Sequence, residues 1–566
     1  MVRTKKNKHH KNKTLKGLRY KIKNIPKKLF KRYKEISPFE LKNKLIKMAE
    51  GNHPNQMLNA GRGNPNFFNN FGRQFLYKIS NMCVDLSHKK GNTTDLVTYP
   101  ALDDYDYEKE FKSRSKKWPS RYKSFFHDYI KYLKKMAIRD KIPPNEIFHD
   151  VVMSALGCFY PSPPRIQPHL RLVTEQFLFN LVMGSYNTKM RPEDFGYFAT
   201  EGAAAGIMYV FNTLKENYLL LPGDSIALIT PIFSPYMEMP VLADYDVKIV
   251  ELKGNPDKQF SLDHEEMDKL RDKKIKALFM VNPANPGAYS LSKDNIEYIG
   301  KIVNTERKDL IVLSDNVYAP FVSEYNSFMQ TCPHNTIEVF SLSKFFGTTG
   351  WRLGLCMVAK ENRFNTLLHN LPKKYKDNLY ERYKIATLTP AKLTFMERLV
   401  FDSRQVAEAH VGGLSTPQQT LIGIYLYYSM HDSSQIYKKQ LQSILESRMN
   451  LLYKDLNTSI AMLSTSTNYY NLIDIPQVTE NLYGKRARDH IEDKYEYLEF
   501  LFHLAKIYHV VLLPGAGFGS TPWRVRISLA NLADQDYAKI GTALKMCIKD
   551  FVEPVINTDT VAQRAT

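Results

Sequence analysis

From about residue 191 to residue 360 the apolar positions fall in short continuous runs, Ser225–Ile229, Ala277–Val281, Leu310–Leu313 and Thr336–Phe340, separated by amphipathic stretches of helical spacing. Strands that read as unbroken apolar runs between helices predict an α/β unit with a mostly parallel sheet, buried on both faces. Each run empties into a loop: Thr230-Pro231-Ile232-Phe233-Ser234-Pro235-Tyr236, Asn282-Pro283-Ala284-Asn285-Pro286-Gly287, Ser314-Asp315-Asn316-Val317-Tyr318, and the block from Ser341 to Gly354 that contains Lys344. Ligands of open α/β sheets bind at the carboxyl ends of strands. Four successive strand ends therefore offer one ligand an aromatic ring (Phe233), an amide (Asn285), a carboxylate with a phenol three residues on (Asp315, Tyr318) and a lysine (Lys344). Each alone has a plainer reading: core ring, Asx turn, ion-pair partner, solvated loop lysine. All four in this order are much less probable by coincidence.

The first helix of this region is expected within Thr200–Gly206, where small residues let backbone N–H groups face a phosphate. Upstream, Ser37-Pro38-Phe39-Glu40-Leu41 predicts a helix start with Ser37 as cap and Glu40 completing a capping box, the helix ending near Gly51. Residues 70–150 read as mostly helical, and Tyr160–Arg165 as a rigid extended connector. Residues 361–410 read as long charged helices, and the loop Gly412–Gln419 opens a further helix with Thr416 as its cap. An apolar strand at Val510–Leu513 precedes Pro514-Gly515-Ala516-Gly517-Phe518-Gly519, which is not a GxGxxG motif opening a helix and excludes a dinucleotide reading. Trp523–Ala530 predicts a strand with Arg524 and Arg526 on one face. A buried arginine there needs an anion, and a substrate carboxylate would serve.

Charge changes this picture little. Of the net +21, the first 34 residues supply fifteen Lys or Arg and no acid, which leaves +6 on the other 532 residues. The body is therefore no nucleic-acid binder by charge. The tail reads as a solvated, disordered extension; nucleic acid or an anionic membrane are its alternative partners. Cys83, Cys158, Cys332, Cys356 and Cys547 are scattered with no CxxC pair, as expected of buried thiols in a reducing compartment. No metal site is expected, His9-His10 having no nearby ligands. No apolar run reaches the roughly 18 residues of a membrane span, and a cytoplasmic location follows as the expectation.

The lysine block, with the Asp315–Tyr318 and Thr230–Phe233 loops, resembles the fold type I pyridoxal-phosphate enzymes of the aspartate aminotransferase superfamily. Leu58–Asn66 and Gly413–Gln419, supported by Ser37–Lys42, Tyr160-Pro161 and Ser528–Leu532, resemble the aspartate 4-decarboxylase branch over nearly the whole chain beyond the tail. The resemblance implies a large domain with a mostly parallel sheet (191–400), a smaller α/β domain (401–555) and a helical segment joining it (35–190), between a basic tail (1–34) and a flexible end (556–566). It implies that Lys344 carries pyridoxal 5'-phosphate, Asp315 pairs with the pyridine nitrogen, Tyr318 and Asn285 hold the ring oxygen, and Phe233 stacks on the ring. Gly202, Ala203, Ala204, Ser341, Ser343 and Arg352 are implied for the phosphate, with Tyr160 reaching in from a neighbouring subunit of at least a dimer. Arg526 and Asn285 are implied for the substrate, with Arg62, Gly63 and Thr416 beside it, and Arg62 a candidate neighbour of the distal carboxylate. The implied reaction converts L-aspartate to L-alanine and carbon dioxide, with transamination to a 2-oxo acid from the same site. A plain aminotransferase, or more remotely a non-catalytic protein of this fold tethered by its tail, is the alternative. Three departures stand out: Asn285-Pro286-Gly287-Ala288 replaces the usual Asn-Pro-Thr-Gly, Ala204 stands where a hydroxyl is common, and Arg524 beside Arg526 is unusual, with no target assigned by the sequence.

Overall fold

The computed structural model describes residues 27–50, 57–88, 95–186, 188–458 and 463–563. In chain order the strands are β1 (Leu58–Asn59), β2 (Phe195–Thr200), β3 (Ser225–Thr230), β4 (Lys248–Lys253), β5 (Ile275–Val281), β6 (Ile311–Asp315), β7 (Thr336–Ser341), β8 (Gly354–Ala359), β9 (Tyr470–Asp474), β10 (Val510–Val511), β11 (Leu513–Pro514) and β12 (Arg524–Ser528). Seven of them form one sheet in the order β2-β8-β7-β6-β5-β3-β4, parallel except for β8, which is antiparallel to both neighbours. The four loop-bearing strands β3, β5, β6 and β7 are consecutive neighbours in that sheet. Their loops therefore emerge side by side.

Period-two alternation sends adjacent residues of each strand to opposite faces. Ala227, Leu278 and Val312 pack on one face with Ile296 and Ile299 of the helix Lys293–Thr305. Ile226, Phe279 and Leu313 join the larger core on the other. The smaller sheet is antiparallel, β11-β12-β9, and β1 pairs in parallel with β10 beside it. A third layer gathers the helices Asn70–Ser87, Pro144–Leu156 and Pro168–Met183 around the helix Thr416–His431. Leu421, Ile422, Ile424, Tyr425 and Leu426 of that central helix are all fully buried, so it is apolar on every side rather than amphipathic.

Several local expectations are corrected. The helix Lys27–Glu35 begins inside the basic tail, and its end is docked: Lys34 pairs with Glu496 at 2.9 Å and Tyr33 meets the Phe502 ring edge-on at 5.5 Å. The rest of the tail, His9-His10 included, lies outside the described residues. The helix Pro38–Glu50 forms, with the Phe39 N–H 3.4 Å from Ser37 Oγ, while Glu40 accepts from Asn43 rather than closing the capping box. Residues 361–410 make the short helices Arg363–His369, Lys373–Tyr383 and Phe395–Asp402, interrupted at Pro372 and Pro390. Thr200 closes β2 and the next helix starts at Ala203. The cap before the helix Thr416–His431 is Ser415, not Thr416. The expected strand at Val510–Leu513 is divided between two sheets. The last helix, Asp534–Gln563, runs through the expected boundary at 556. Four cysteines are buried, but Cys158 is exposed.

Two features tie this scaffold to its loops. Gly347, in the lysine block, has φ +65°, and a Cβ there would lie 2.1 Å from the Phe67 carbonyl oxygen. The second is Glu338 on β7, fully buried beside β6, which accepts a hydrogen bond from Ser327. Burial, together with the nearby Asp315 carboxylate, pushes its carboxyl up to about 8 against the Ser327 and Ser314 hydrogen bonds.

Replacing Gly347→Ala forces both a left-handed conformation and a backbone collision, and is expected to cost at least about 2 kcal/mol; a lowered urea midpoint checks it. Because Glu338 binds its proton more tightly folded than unfolded, its contribution falls as pH rises from the ordinary glutamate range to about 8. Glu338→Gln should flatten that fall, matching wild type near pH 5 and exceeding it near pH 8 by on the order of a few kcal/mol in denaturant titrations.

Candidate active site

The loops after β3, β5, β6 and β7 meet β9 and β12 of the smaller sheet and the loop 58–66 around a cavity of about 350 Å³. Phe233, Asn285, Asp315, Tyr318, Ser341, Ser343, Lys344, Arg352, Ala203, Ala204, Gly63 and Arg526 all line it. Most of the residues expected from sequence are therefore brought together.

Lys344 follows β7 and points its Nζ at the Gly63 carbonyl, 2.8 Å away. Asp315 ends β6. Its carboxylate accepts from the Tyr236 hydroxyl at 2.9 Å and from the Val317 N–H at 3.1 Å. Burial raises it to about 6 in spite of those donors and the Lys344 ammonium. A buried carboxylate of this kind gains from a cationic ring N–H placed against it.

The opposite sign appears at Arg526. Its side chain is 1% exposed, it donates to the Gly61 carbonyl at 2.9 Å and to Asn285 Oδ1 at 3.4 Å, and its Nε has no partner. No carboxylate pairs with it among the described residues; instead the rings of Tyr470, Phe518 and Phe39 surround it at 4.6, 4.9 and 5.7 Å. Burial lowers its affinity for a proton. A desolvated guanidinium without a counter-ion is costly, and an arriving carboxylate would relieve it. Arg524, two residues earlier on the same strand, is satisfied elsewhere: it pairs with Asp474 at 3.1 Å across β9 and lies 5.8 Å from the Phe260 ring centre.

At the cavity's other end, the helix Ala203–Glu216 begins after Gly202, whose φ is +90°. A Cβ on Gly202 would come within 2.7 Å of the Arg352 guanidinium, so glycine is needed for the close approach. Ser341 Oγ and Ser343 Oγ sit 2.9 Å apart beside it. Helix N–H groups, an arginine and two hydroxyls make a cradle for a phosphate, with Ala204 adding no hydroxyl. Phosphate cradle, Lys344, the Phe233 ring and Asp315 share one cavity, and these residues fit pyridoxal phosphate.

Three expected residues stand apart. Tyr160 is 68% exposed and Thr416 is buried with its hydroxyl unpartnered; neither lines the cavity of this chain. Arg62 is exposed at the loop, although its charge, after burial, depresses that of half-buried Lys42, as does Arg526. Sequence reasoning gave no role to Tyr236, Tyr470, Phe39 or Lys42. Tyr236 stood in a quoted loop, but only its bond to Asp315 reveals its use. Tyr470 comes from the smaller sheet with no motif to mark it, and Phe39 and Lys42 stood in the quoted Ser37–Lys42 stretch, where they were read only as part of a helix start.

The profile of the family described as aminotransferase class I and II matches residues 162–544. A bifunctional aspartate aminotransferase and L-aspartate beta-decarboxylase from a Pseudomonas species is 36% identical over 529 residues, covering 92% of this chain and 97% of that protein. Among solved structures, an aromatic aminotransferase from Pyrococcus horikoshii superposes with a TM-score of 0.53 at 18% identity, over 88% of this chain and 96% of that one. An aspartate aminotransferase from Thermus thermophilus, crystallised with maleate, gives 0.50 at 18% identity over 75% and 87%. These likenesses agree with the observed α/β architecture, and the length and identity of the first two matches settle the family: this chain is a member of the class I and II aminotransferases, a pyridoxal-phosphate-dependent family of fold type I.

Proposed function

We propose that this chain is an L-aspartate 4-decarboxylase, converting L-aspartate to L-alanine and carbon dioxide, with aspartate aminotransferase as a side activity of the same site. The observation that carries it is the buried, unpaired Arg526 facing a cavity that also holds Lys344 and Asp315. The long relative named for both activities supports the pairing.

Pyridoxal phosphate, when bound, supplies an electron sink. Around it, Gly202, Ala203, Ala204, Ser341, Ser343 and Arg352 hold the phosphate, and Phe233 covers the ring. Asp315, kept anionic by Tyr236 and Val317, would fix the charge at the ring nitrogen, while the Asn285 amide would donate to the ring oxygen with Tyr318 beside it. Arg526 grips the substrate α-carboxylate and so orients the bond to be broken. Lys344 Nζ carries the cofactor and moves the proton at the substrate Cα. Arg62, and Lys42 whose proton affinity burial, Arg62 and Arg526 lower, are the candidate neighbours of a second carboxylate; one held loosely would be easier to lose.

The site reads as one shared by subunits of at least a homodimer, Tyr160 completing the phosphate cradle of the neighbour and Thr416 standing near it. Among the described residues no helix is long and apolar enough to cross a membrane; the cytoplasmic location belongs to this reading, and so does the secondary possibility of nucleic acid or an anionic membrane at the basic tail.

Purified protein supplied with pyridoxal phosphate and L-aspartate should release alanine and carbon dioxide in equal amounts, and Lys344→Ala should abolish both. Oxaloacetate formed only with added 2-oxo acid, and no alanine, would make it a plain aminotransferase. Arg526→Leu should raise the KM for aspartate by roughly 100-fold, the worth of about 3 kcal/mol of charge-assisted hydrogen bonding, whereas Arg62→Ala should shift the ratio of alanine to oxaloacetate with cofactor retention unchanged. Since Asp315 must be anionic to hold the ring, cofactor affinity should weaken as pH falls below about 6, measured by fluorescence quenching on titrating pyridoxal phosphate into the stripped protein.

A further inference from the structure

Tyr470 lines the cavity and has no part in the roles given above. It opens β9, opposite Ser528 on β12, and is 2% exposed. Its hydroxyl accepts from the Tyr318 hydroxyl at 3.2 Å, which leaves its own proton available to the cavity. A Cβ placed on Gly63 would lie 2.6 Å from the Tyr470 oxygen and 3.3 Å from Lys344 Nζ, so the phenol and the amine reach the same point of the 58–66 loop. The Arg526 guanidinium sits over the ring at 4.6 Å. Tyr470 is thus set between the group that moves the Cα proton and the group that holds the carboxylate.

Its electrostatic surroundings differ from those of its neighbours. The groups facing it are Lys344 from the lysine block, Arg526 from β12, Tyr318 from the loop after β6, and Tyr469 beside it on the chain. Burial holds Tyr318 and Tyr469 well above the ordinary phenol range. Burial acts on Tyr470 in the same direction, yet the two cations and the Tyr318 hydrogen bond outweigh it and bring this phenol below its ordinary range. A proton donor works best when its pKa approaches the working pH.

We propose that Tyr470 is the proton donor to the substrate carbon that loses carbon dioxide, the step that separates alanine formation from transamination. The proposal rests on the decarboxylase reading. In that step the bond between Cβ and the side-chain carboxylate carbon breaks, the carboxylate carbon leaves as carbon dioxide, and the electron pair stays with Cβ. The Tyr470 proton completes the new Cβ–H bond. The phenolate left behind, flanked by Lys344 and Arg526, regains a proton from water, so one proton is consumed for each alanine formed. Lys344 alone would have to serve both Cα and Cβ; a second donor beside it removes that conflict.

The test compares wild type with Tyr470→Phe, which keeps the ring and its packing. In the full chain stripped of cofactor, a pH titration of tyrosinate ultraviolet absorbance should show one phenol ionising below the ordinary range in wild type and none in the variant. In the holoenzyme with L-aspartate and a 2-oxo acid, the ratio of alanine to oxaloacetate should fall roughly 100-fold in the variant, the usual worth of general acid catalysis, with the aspartate KM within tenfold. Superimposable titrations, or an unchanged product ratio in a wild type that does make alanine, would overturn the donor role and leave the decarboxylase reading standing. A wild type that makes no alanine overturns both.

Discussion

Two buried charges of opposite sign face one cavity without pairing with each other. Asp315 is held at the end of β6 by Tyr236 and Val317, and Arg526 is held on β12 by backbone and amide oxygens and ringed by aromatics. Removing a charge from water costs several kcal/mol unless something compensates; among the described residues neither forms a salt bridge, and the Lys344 ammonium offsets the burial of Asp315 only in part. The fold therefore stores an electrostatic deficit that a ligand with a cationic end and an anionic end would relieve. A protonated ring nitrogen and a substrate carboxylate are such ends.

Holding that arrangement requires both sheets. The larger sheet delivers Asp315, Lys344, Asn285 and Phe233 from adjacent strand ends, while the smaller one brings Arg526 and Tyr470 on paired strands. The loop 58–66 bridges them: Gly63 accepts from Lys344 and Tyr469, Gly61 accepts from Arg526, and Phe67 presses on Gly347. Glu338, neutral behind Asp315, lets the sheet carry a single buried anion at this point rather than two. Catalytic geometry and stability are coupled here, because the same hydrogen bonds close the site and join the two sheets.

The aromatic wall gives this cavity its particular character. Tyr318, Tyr469 and Tyr470 form a cluster with centroids 5.0 to 5.7 Å apart, Tyr470 meeting both of the others edge-on. The Tyr318 hydroxyl donates to Tyr470 and that of Tyr469 to the Gly63 carbonyl, while Lys344 and Arg526 sit over the rings of Tyr469 and Tyr470. Phenols in such a setting can be held neutral or tuned toward ionisation by which cation they face. One site can thereby move protons at two neighbouring carbons.

Sequence determined the parallel sheet, because strands buried on both faces must read as apolar runs, and it determined the residues at their carboxyl ends, because the chain there must turn through glycine, proline and short polar residues. Lys344, Asp315, Tyr318, Asn285 and Phe233 were legible for that reason, and Arg526 because an arginine on a buried strand needs an anion. It misjudged helix lengths between 361 and 410, where prolines outweigh charge patterning, and the tail, whose last turns dock against the helix Tyr497–Tyr508. Only the tertiary structure decided what lies across the cavity: that Arg524 pairs with Asp474 while Arg526 stays unpaired, that Tyr160 and Thr416 stand off this chain's own cavity, and that Tyr470 faces Lys344. Those facts depend on contacts between segments hundreds of residues apart, and local pattern carries no signal of which distant side chain will be desolvated beside which charge.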